Sequence, residues 1–343
     1  MRNSPVGAAS RWERRSAATS CGPCCLTAPS LWIRICGPAD AGNEGYGVDV
    51  RIGMMLPMSV SDGAGRMPAW AQVRAVAQHA EAAGLDSAWV CDHLLSEPPG
   101  QPVEGVAEGW TLLSALAAST ARLTLGTLVT PTMFRHPALL AKMAAGVGEI
   151  SGGRLVLGLG AGFAGAEYRM YGIAADHRWA RFEEELQIIV ALLGSGKPVT
   201  WSGRFHELRD ATLQPVPARR VPVMVAGAGE RTMRLTARYA DAWTTAWHGR
   251  PDGQLRTQLD AMARILDEQG RDPATLRRMV GVEAVDPGQE PARTGELTVA
   301  HEDLAAAIDG YRRLGIDDLI IGLRPVTMRS IDRLAGALTP RGG

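Results

Sequence analysis

From Val50 onward the chain alternates short apolar runs with longer amphipathic segments, and this alternation limits the fold more than any other feature. A short apolar run between turn residues reads as a buried strand, while a longer stretch with apolar residues three and four apart reads as a helix. Repeated in order, the two make β-α units and a parallel sheet. The first strand is expected over Val50 to Pro57 and the first helix over Pro68 to Ala83, with Pro68 suited to a helix start and Gly84 to its stop. "DSAWVCDH" is strand two, Trp110 to Thr120 helix two, Arg122 to Thr130 strand three and Pro137 to Ile150 helix three. Gly153 to Gly162 is strand four, followed by a long helix from Arg178 to Leu193 and a polar, aromatic hairpin or loop between Lys197 and Pro217. Val221 to Glu230, "DAWTTAW", "MVGVEAV" and "DDLIIGL" supply the remaining strands, and helices are expected at Arg231 to Tyr239, Leu255 to Glu268, Glu302 to Leu314 and Ser330 to Leu338. Eight such strands fit one closed TIM (β/α)8 barrel with insertions better than two Rossmann halves.

In a barrel of this kind the loops after the strand C-termini build the site. The chemically informative residues should therefore follow each apolar run. Asp92 and His93 end strand two; a histidine exchanges protons near neutral pH, and an adjacent carboxylate can fix its tautomer. "GLGAG" (Gly158 to Gly162) and "AGAGE" (Ala226 to Glu230) are glycine bends before helices, where backbone N–H groups can approach an anion. Neither is a full dinucleotide fingerprint, because the glycines are spaced differently and no acid follows for ribose recognition. Arg135 and His136 precede a Pro-initiated helix and read first as a turn. Arg178, Arg181 and Glu184 share a helix face and read as an ion-pair stripe. Trp243 and Trp247 either line a planar-ligand pocket or fill the barrel. Nucleophile elbow, P-loop and H-E-x-x-H patterns are missing from the sequence, which argues against hydrolase and metalloprotease chemistry.

Charge points the same way. Thirty-six acidic and 36 basic residues cancel, so nothing draws the whole chain to nucleic acid or to a membrane surface, and a small-molecule substrate is the default partner. Four of the five cysteines lie in residues 1–47, where "CGPCC" has C-x-x-C spacing but no second pair of ligands at zinc-site spacing, so no metal site is expected. That stretch has no sustained period and no apolar signal core. The expected division is an N-terminal extension over 1–47, disordered or translated from a misplaced start, and one working domain over 48–343. With no export signal or membrane span legible, the expected location is the cytoplasm.

Taken in order, "GLDSAWVCDHL", "ARLTLGTLVTPTMFRHPALLAKMAAGVGEISGGRLVLGLGAG", "RFEEELQII", "WSGRFHEL" and "VPVMVAGAGERTMRLTARYADAW" resemble the bacterial luciferase-like superfamily, in its coenzyme F420-dependent branch. The resemblance covers Val50 to Pro340. It implies a luciferase-like TIM barrel and catalysis at His93 with Asp92 as its orienting partner. It also implies a non-prolyl cis peptide between Leu128 and Val129 against the cofactor ring. Gly160, Ala161 and Gly162, with Ala226, Gly227, Ala228, Gly229, Glu230 and Arg231, would contact the cofactor's tail and phosphate. Homodimers are common in the superfamily, so a homodimer is a possible assembly. The chain departs from the F420-dependent sugar-phosphate dehydrogenases it otherwise resembles. Phe163 stands where they carry a glutamate, "LLSEPP" where they have a tryptophan, and "PMSVSDG" where they have a further glutamate. Phe163 with Met55, Met58 and Leu94 points to an apolar pocket. The expected activity is hydride transfer between the deazaflavin C5 of F420 and a small, apolar organic substrate. The alternatives are an FMN-dependent monooxygenase served by a separate flavin reductase, and a cofactor-binding protein without catalysis.

Overall fold

In a computed structural model the described residues are 50–62, 66–97, 102–163, 165–287 and 298–338. The expected extension over 1–47 lies outside them. The eight expected strands are present as β1 (Arg51–Met55), β2 (Ser87–Val90), β3 (Thr124–Thr127), β4 (Leu155–Gly160), β5 (Val223–Ala226), β6 (Ala242–His248), β7 (Arg277–Val285) and β8 (Asp318–Arg324). Each pairs in parallel with the next, and β8 returns to β1 through Arg51 opposite Asp318 and Met54 opposite Ile321. The sheet is therefore a closed barrel with no free edge.

The helices between strands are α1 (Trp70–Ala82), α2 (Gly109–Ser119), α3 (Pro137–Ile150), α4 (Arg178–Ser195), α5 (Glu230–Tyr239), α6 (Gly253–Glu268), α7 (Leu304–Arg313) and α8 (Met328–Leu338). Their starts are set by local chemistry. Glu108 accepts the Trp110 and Thr111 amides at the head of α2, and Asp252 accepts the Leu255 amide at the head of α6. Before α3, the His136 ring accepts the Ala138 amide, and Pro137 occupies the first turn, where its missing N–H costs nothing.

Strand alternation divides the core in two. One face of the strands packs with helix residues such as Val73, Leu113, Leu140 and Phe182 in an outer layer. The other face holds a cluster made only of strand and strand-end residues: Trp89, Met224, Ala242, Met279 and Ile320, with Met55, Leu128, Val129 and Val156 half-buried around it. A cluster without helix residues is the barrel interior. Trp89 fills much of it because β3 offers Gly126 beside it; a Cβ there would fall 2.2 Å from the indole. Each large apolar side chain buried this way contributes about 1.5–3 kcal/mol.

Among the described residues, insertions depart from the repeat at several points. Leu95–Ser96 pairs antiparallel with Glu104–Gly105 after β2. A five-residue helix, Ala166–Met170, follows β4. The polar stretch after α4 is a hairpin, Val199–Ser202 against Glu207–Ala211, as its alternating polar and aromatic residues suggest. The hairpin also corrects the ion-pair stripe expected on α4. Glu184 is buried beneath it and accepts the amides of Arg204, Phe205 and His206, while Arg181 turns to Asp176. No helix among the described residues is long and apolar enough to cross a membrane.

Candidate active site

Successive side chains leaving a strand point to opposite sides, so Asp92 and His93, though adjacent, meet different surroundings. Asp92 is fully buried. Arg135 donates to its two oxygens at 2.6 and 3.0 Å, and Trp110 Nε1 donates to Oδ2 at 3.1 Å. The same indole N–H lies 3.1 Å from Thr130 Oγ1, and Arg135 reaches on to Glu108 at 2.6 Å. A buried carboxylate persists only with a paired cation and hydrogen bonds, and these groups supply both. Asp92 thus fastens β2 to α2 and to the loop after β3. The expectation that it orients His93 is corrected: its oxygens are bonded to Arg135 and Trp110.

His93 is oriented instead by Glu167, at the head of the short helix after β4. The two meet at 3.0 Å through His93 Nδ1 and Glu167 Oε1, while Glu167 Oε2 accepts the Leu94 amide at 2.8 Å. Burial pushes the Glu167 carboxyl up. The bonds from His93 and from the Leu94 and Leu95 amides outweigh burial and hold it below the usual carboxylate value. An ionised carboxylate can only accept, so Nδ1 carries the proton and Nε2 is the ring nitrogen left for a ligand. Glu97 adds a second tie across the mouth by accepting the Ala166 amide at 2.7 Å. The His93 ring is about one-third exposed and sits 5.5 Å from the ring of Phe163, itself 64% exposed.

Leu128 and Val129, half-buried above the interior cluster, follow β3, and their peptide bond is cis, the geometry the resemblance implies. Gly160, Ala161 and Gly162 follow β4. A Cβ at Gly160 would fall 2.8 Å from Val129 and one at Gly162 1.9 Å from the Tyr168 hydroxyl, so these two glycines are needed by the protein's own packing. Ala226, Gly227, Ala228 and Gly229 follow β5. Gly227 has φ of +139°, which glycine alone tolerates readily, and a Cβ at Gly229 would meet nothing within 4 Å. No side chain caps the α5 start at Gly229. That turn therefore offers open backbone N–H groups, the cradle a phosphate would fit. Glu230 and Arg231 do not point free charge into it, for Glu230 pairs with Arg234 and Arg231 with Glu183.

The candidate residues thus follow β2, β3, β4 and β5, neighbours in the barrel, and share one arc of its mouth. Cys91, although adjacent to Asp92, is no nucleophile; burial pushes its thiol up to about 12. Met58 is buried with its sulfur 3.2 Å from the Cys91 amide, so it does not line the mouth as expected. Trp243 is buried and donates to the Gly227 carbonyl at 2.7 Å, which settles it as packing. Trp247 is half-buried and lies over Gly281 and Gly322, whose Cβ positions would be 3.1 and 3.3 Å from its ring. Among the described residues no group of three or more His, Cys, Asp or Glu side chains could hold a metal ion.

A closed (β/α)8 barrel with a carboxylate-held histidine and an open glycine turn at the same end defines an enzyme of the barrel class, with its chemistry at the strand C-termini. The chain belongs to the luciferase-like monooxygenase family, whose profile matches residues 50–311, and it is an oxidoreductase. It is 34% identical over 267 residues to an F420-dependent glucose-6-phosphate dehydrogenase of Beutenbergia cavernae, covering 76% of this chain and 74% of that one. An F420-dependent hydroxymycolic acid dehydrogenase of Mycobacterium tuberculosis is 32% identical over 263 residues, or 73% and 70% of the two chains. Among solved structures, an F420-dependent secondary alcohol dehydrogenase in complex with an F420-acetone adduct superposes with a TM-score of 0.70 at 21% identity, over 85% of this chain and 99% of that one.

Proposed function

We propose that this chain is an F420-dependent oxidoreductase acting on a small, apolar organic substrate. The observation that carries the reading is the His93–Glu167 pair at the mouth, joined to relatives named for F420 dependence at 32–34% identity. Coenzyme F420, when bound, supplies hydride transfer at its deazaflavin C5. Among this chain's residues, Gly229 and the α5 start would hold the cofactor's phosphate, and Leu128 and Val129 would offer it an apolar surface. His93 Nε2 moves or holds the substrate proton while Glu167 fixes the ring through Nδ1. Phe163 and Leu94 exclude water on the substrate side, and they favour an apolar substrate over a sugar phosphate.

A fluorescence-quench titration with F420, run in parallel with FMN, tests the reading. Micromolar F420 binding with weak FMN binding is expected, followed by F420 reduction with a screened alcohol or oxidation with a ketone. Preference for FMN would move the chain to flavin monooxygenase chemistry coupled to a reductase. Tight F420 binding with no turnover of any donor or acceptor would leave a binding protein.

A further inference from the structure

A groove of about 700 Å³ lies outside the His93 site, between the N-terminal half of α1 and the start of α8. That volume is within the range of small-molecule pockets. Its walls come from Pro57, Pro68, Ala75, Val76, Pro325 and Val326. The three prolines present no backbone N–H, so this wall offers a ligand little to bond to. Met67, Trp70 and Met328, at or flanking the rim, are each more than a third exposed, which extends the apolar surface outward.

Most polar side chains in the groove spend an atom on their own loop or helix start, which leaves Asp62 Oδ1, Gln72 Nε2 and Arg66 open among the described residues. Asp62 Oδ2 accepts the Met58 and Ser59 amides and the Ser59 hydroxyl, which staples its own loop. The Gln72 amide oxygen accepts the Ala69 amide at the head of α1. Thr327 and Ser330 bond to each other at the head of α8. Arg66 is exposed and has no ion-pair or hydrogen-bond partner among the described residues. Asp62 keeps its charge turned to its own loop through three donors on Oδ2, so the unpaired cation of Arg66 at the edge of an apolar slot is the group complementary to a hydrocarbon chain that ends in a single negative charge.

From this we infer that the groove is a second binding site, for an aliphatic monocarboxylate, with the chain among the prolines and alanines and the carboxylate at Arg66. The loop that forms one wall also backs onto the His93 side, through Met58 Sδ to the Cys91 amide at 3.2 Å and the Met58 carbonyl to the Ala107 amide at 2.9 Å. The site is nevertheless separate and does not depend on the F420 reading.

Isothermal titration of the full chain with decanoate, with decan-1-ol as the uncharged control, tests the inference without cofactor or turnover. Decanoate is expected to bind, and Ala75→Phe, which places a ring in the slot, to weaken both ligands by roughly tenfold or more. Arg66→Gln is expected to weaken decanoate about threefold and leave decan-1-ol unchanged, as an exposed charge pair would. Absence of decanoate binding at millimolar concentration, or equal binding to Ala75→Phe, overturns the site; equal loss of both ligands in Arg66→Gln overturns the carboxylate assignment. Should Ala75→Phe fail to fold, photo-crosslinking of a diazirine-bearing decanoate to the unsubstituted chain replaces it. Label on peptides spanning residues 66–76 or 325–328 supports the site, and label confined elsewhere overturns it.

Discussion

At the scale of single residues, Glu167 fixes the His93 ring at the mouth through Nδ1 and leaves Nε2 open, the arrangement on which the proposed proton transfer rests. His93→Ala should keep F420 binding while turnover falls about 10²- to 10⁴-fold, the usual contribution of a positioned acid or base; full turnover with cofactor bound would defeat the role. Glu167→Gln keeps the shape but gives up the charge, and a misplaced ring should cost about tenfold to a hundredfold in kcat with little change in KM. The same variant has a stability signature. Because the folded carboxyl of Glu167 lies below its ordinary, unfolded value, it binds fewer protons folded than unfolded. Its contribution is fully present above that unfolded value and is lost as pH falls through the folded one. Urea midpoints measured between neutral and acid pH should fall less steeply for Glu167→Gln than for the parent. Asp92 acts differently. Asp92→Ala strands Arg135 in the wall beside Glu108 alone and should destabilise the fold by about 3–5 kcal/mol. In the double variant with Arg135→Ala the loss should be smaller than the sum of the two, which a mutant cycle in urea would read.

Among the elements, legibility in the sequence followed the range of the interaction that sets each one. Helix α3 occupies the expected Pro137 to Ile150 without change, because its start chemistry and its apolar period are both local. Strands β2 and β3 are shorter than their apolar runs. Apolarity continues past the last ladder bond into Cys91, which packs against Met58, and into Leu128 and Val129 above the interior cluster. The hairpin over 199–211 was readable from composition, but the role of Glu184 was not, since nothing in a helix period marks an acid whose partners are three amides some 20 residues on. Glu167 was missed for the same reason: its tie to His93 spans 74 positions. The correction at Glu184 carries a prediction. Glu184→Ala leaves the Arg204, Phe205 and His206 amides without their acceptor, at about 1–3 kcal/mol. Hydrogen exchange at those three amides should accelerate while the amides of β4 and β5 keep their protection. Uniform acceleration across the barrel would instead make Glu184 a global core residue.

For the molecule as a whole, barrel closure decides what the rest of the chain can be. β1 is paired on both sides, with β2 through Gly53 opposite Ser87 and with β8 through Arg51 opposite Asp318. The first strand therefore has no vacant edge for a further strand to complete. The eight barrel strands and helices α1 to α8 lie within residues 51–338. Stability and cofactor binding should accordingly reside in that part of the chain. A chain shortened to residues 48–343 is expected to melt within about 2 °C of the full chain, the shift that roughly 0.5–1 kcal/mol produces in a protein of this size. It should also bind F420 with an unchanged Kd. Calorimetry and the quench titration read these two quantities independently, so each kind of failure has its own meaning. A large drop in melting temperature would show that residues before 48 pack against the barrel, whereas an unchanged melt with weakened F420 binding would place them at its mouth.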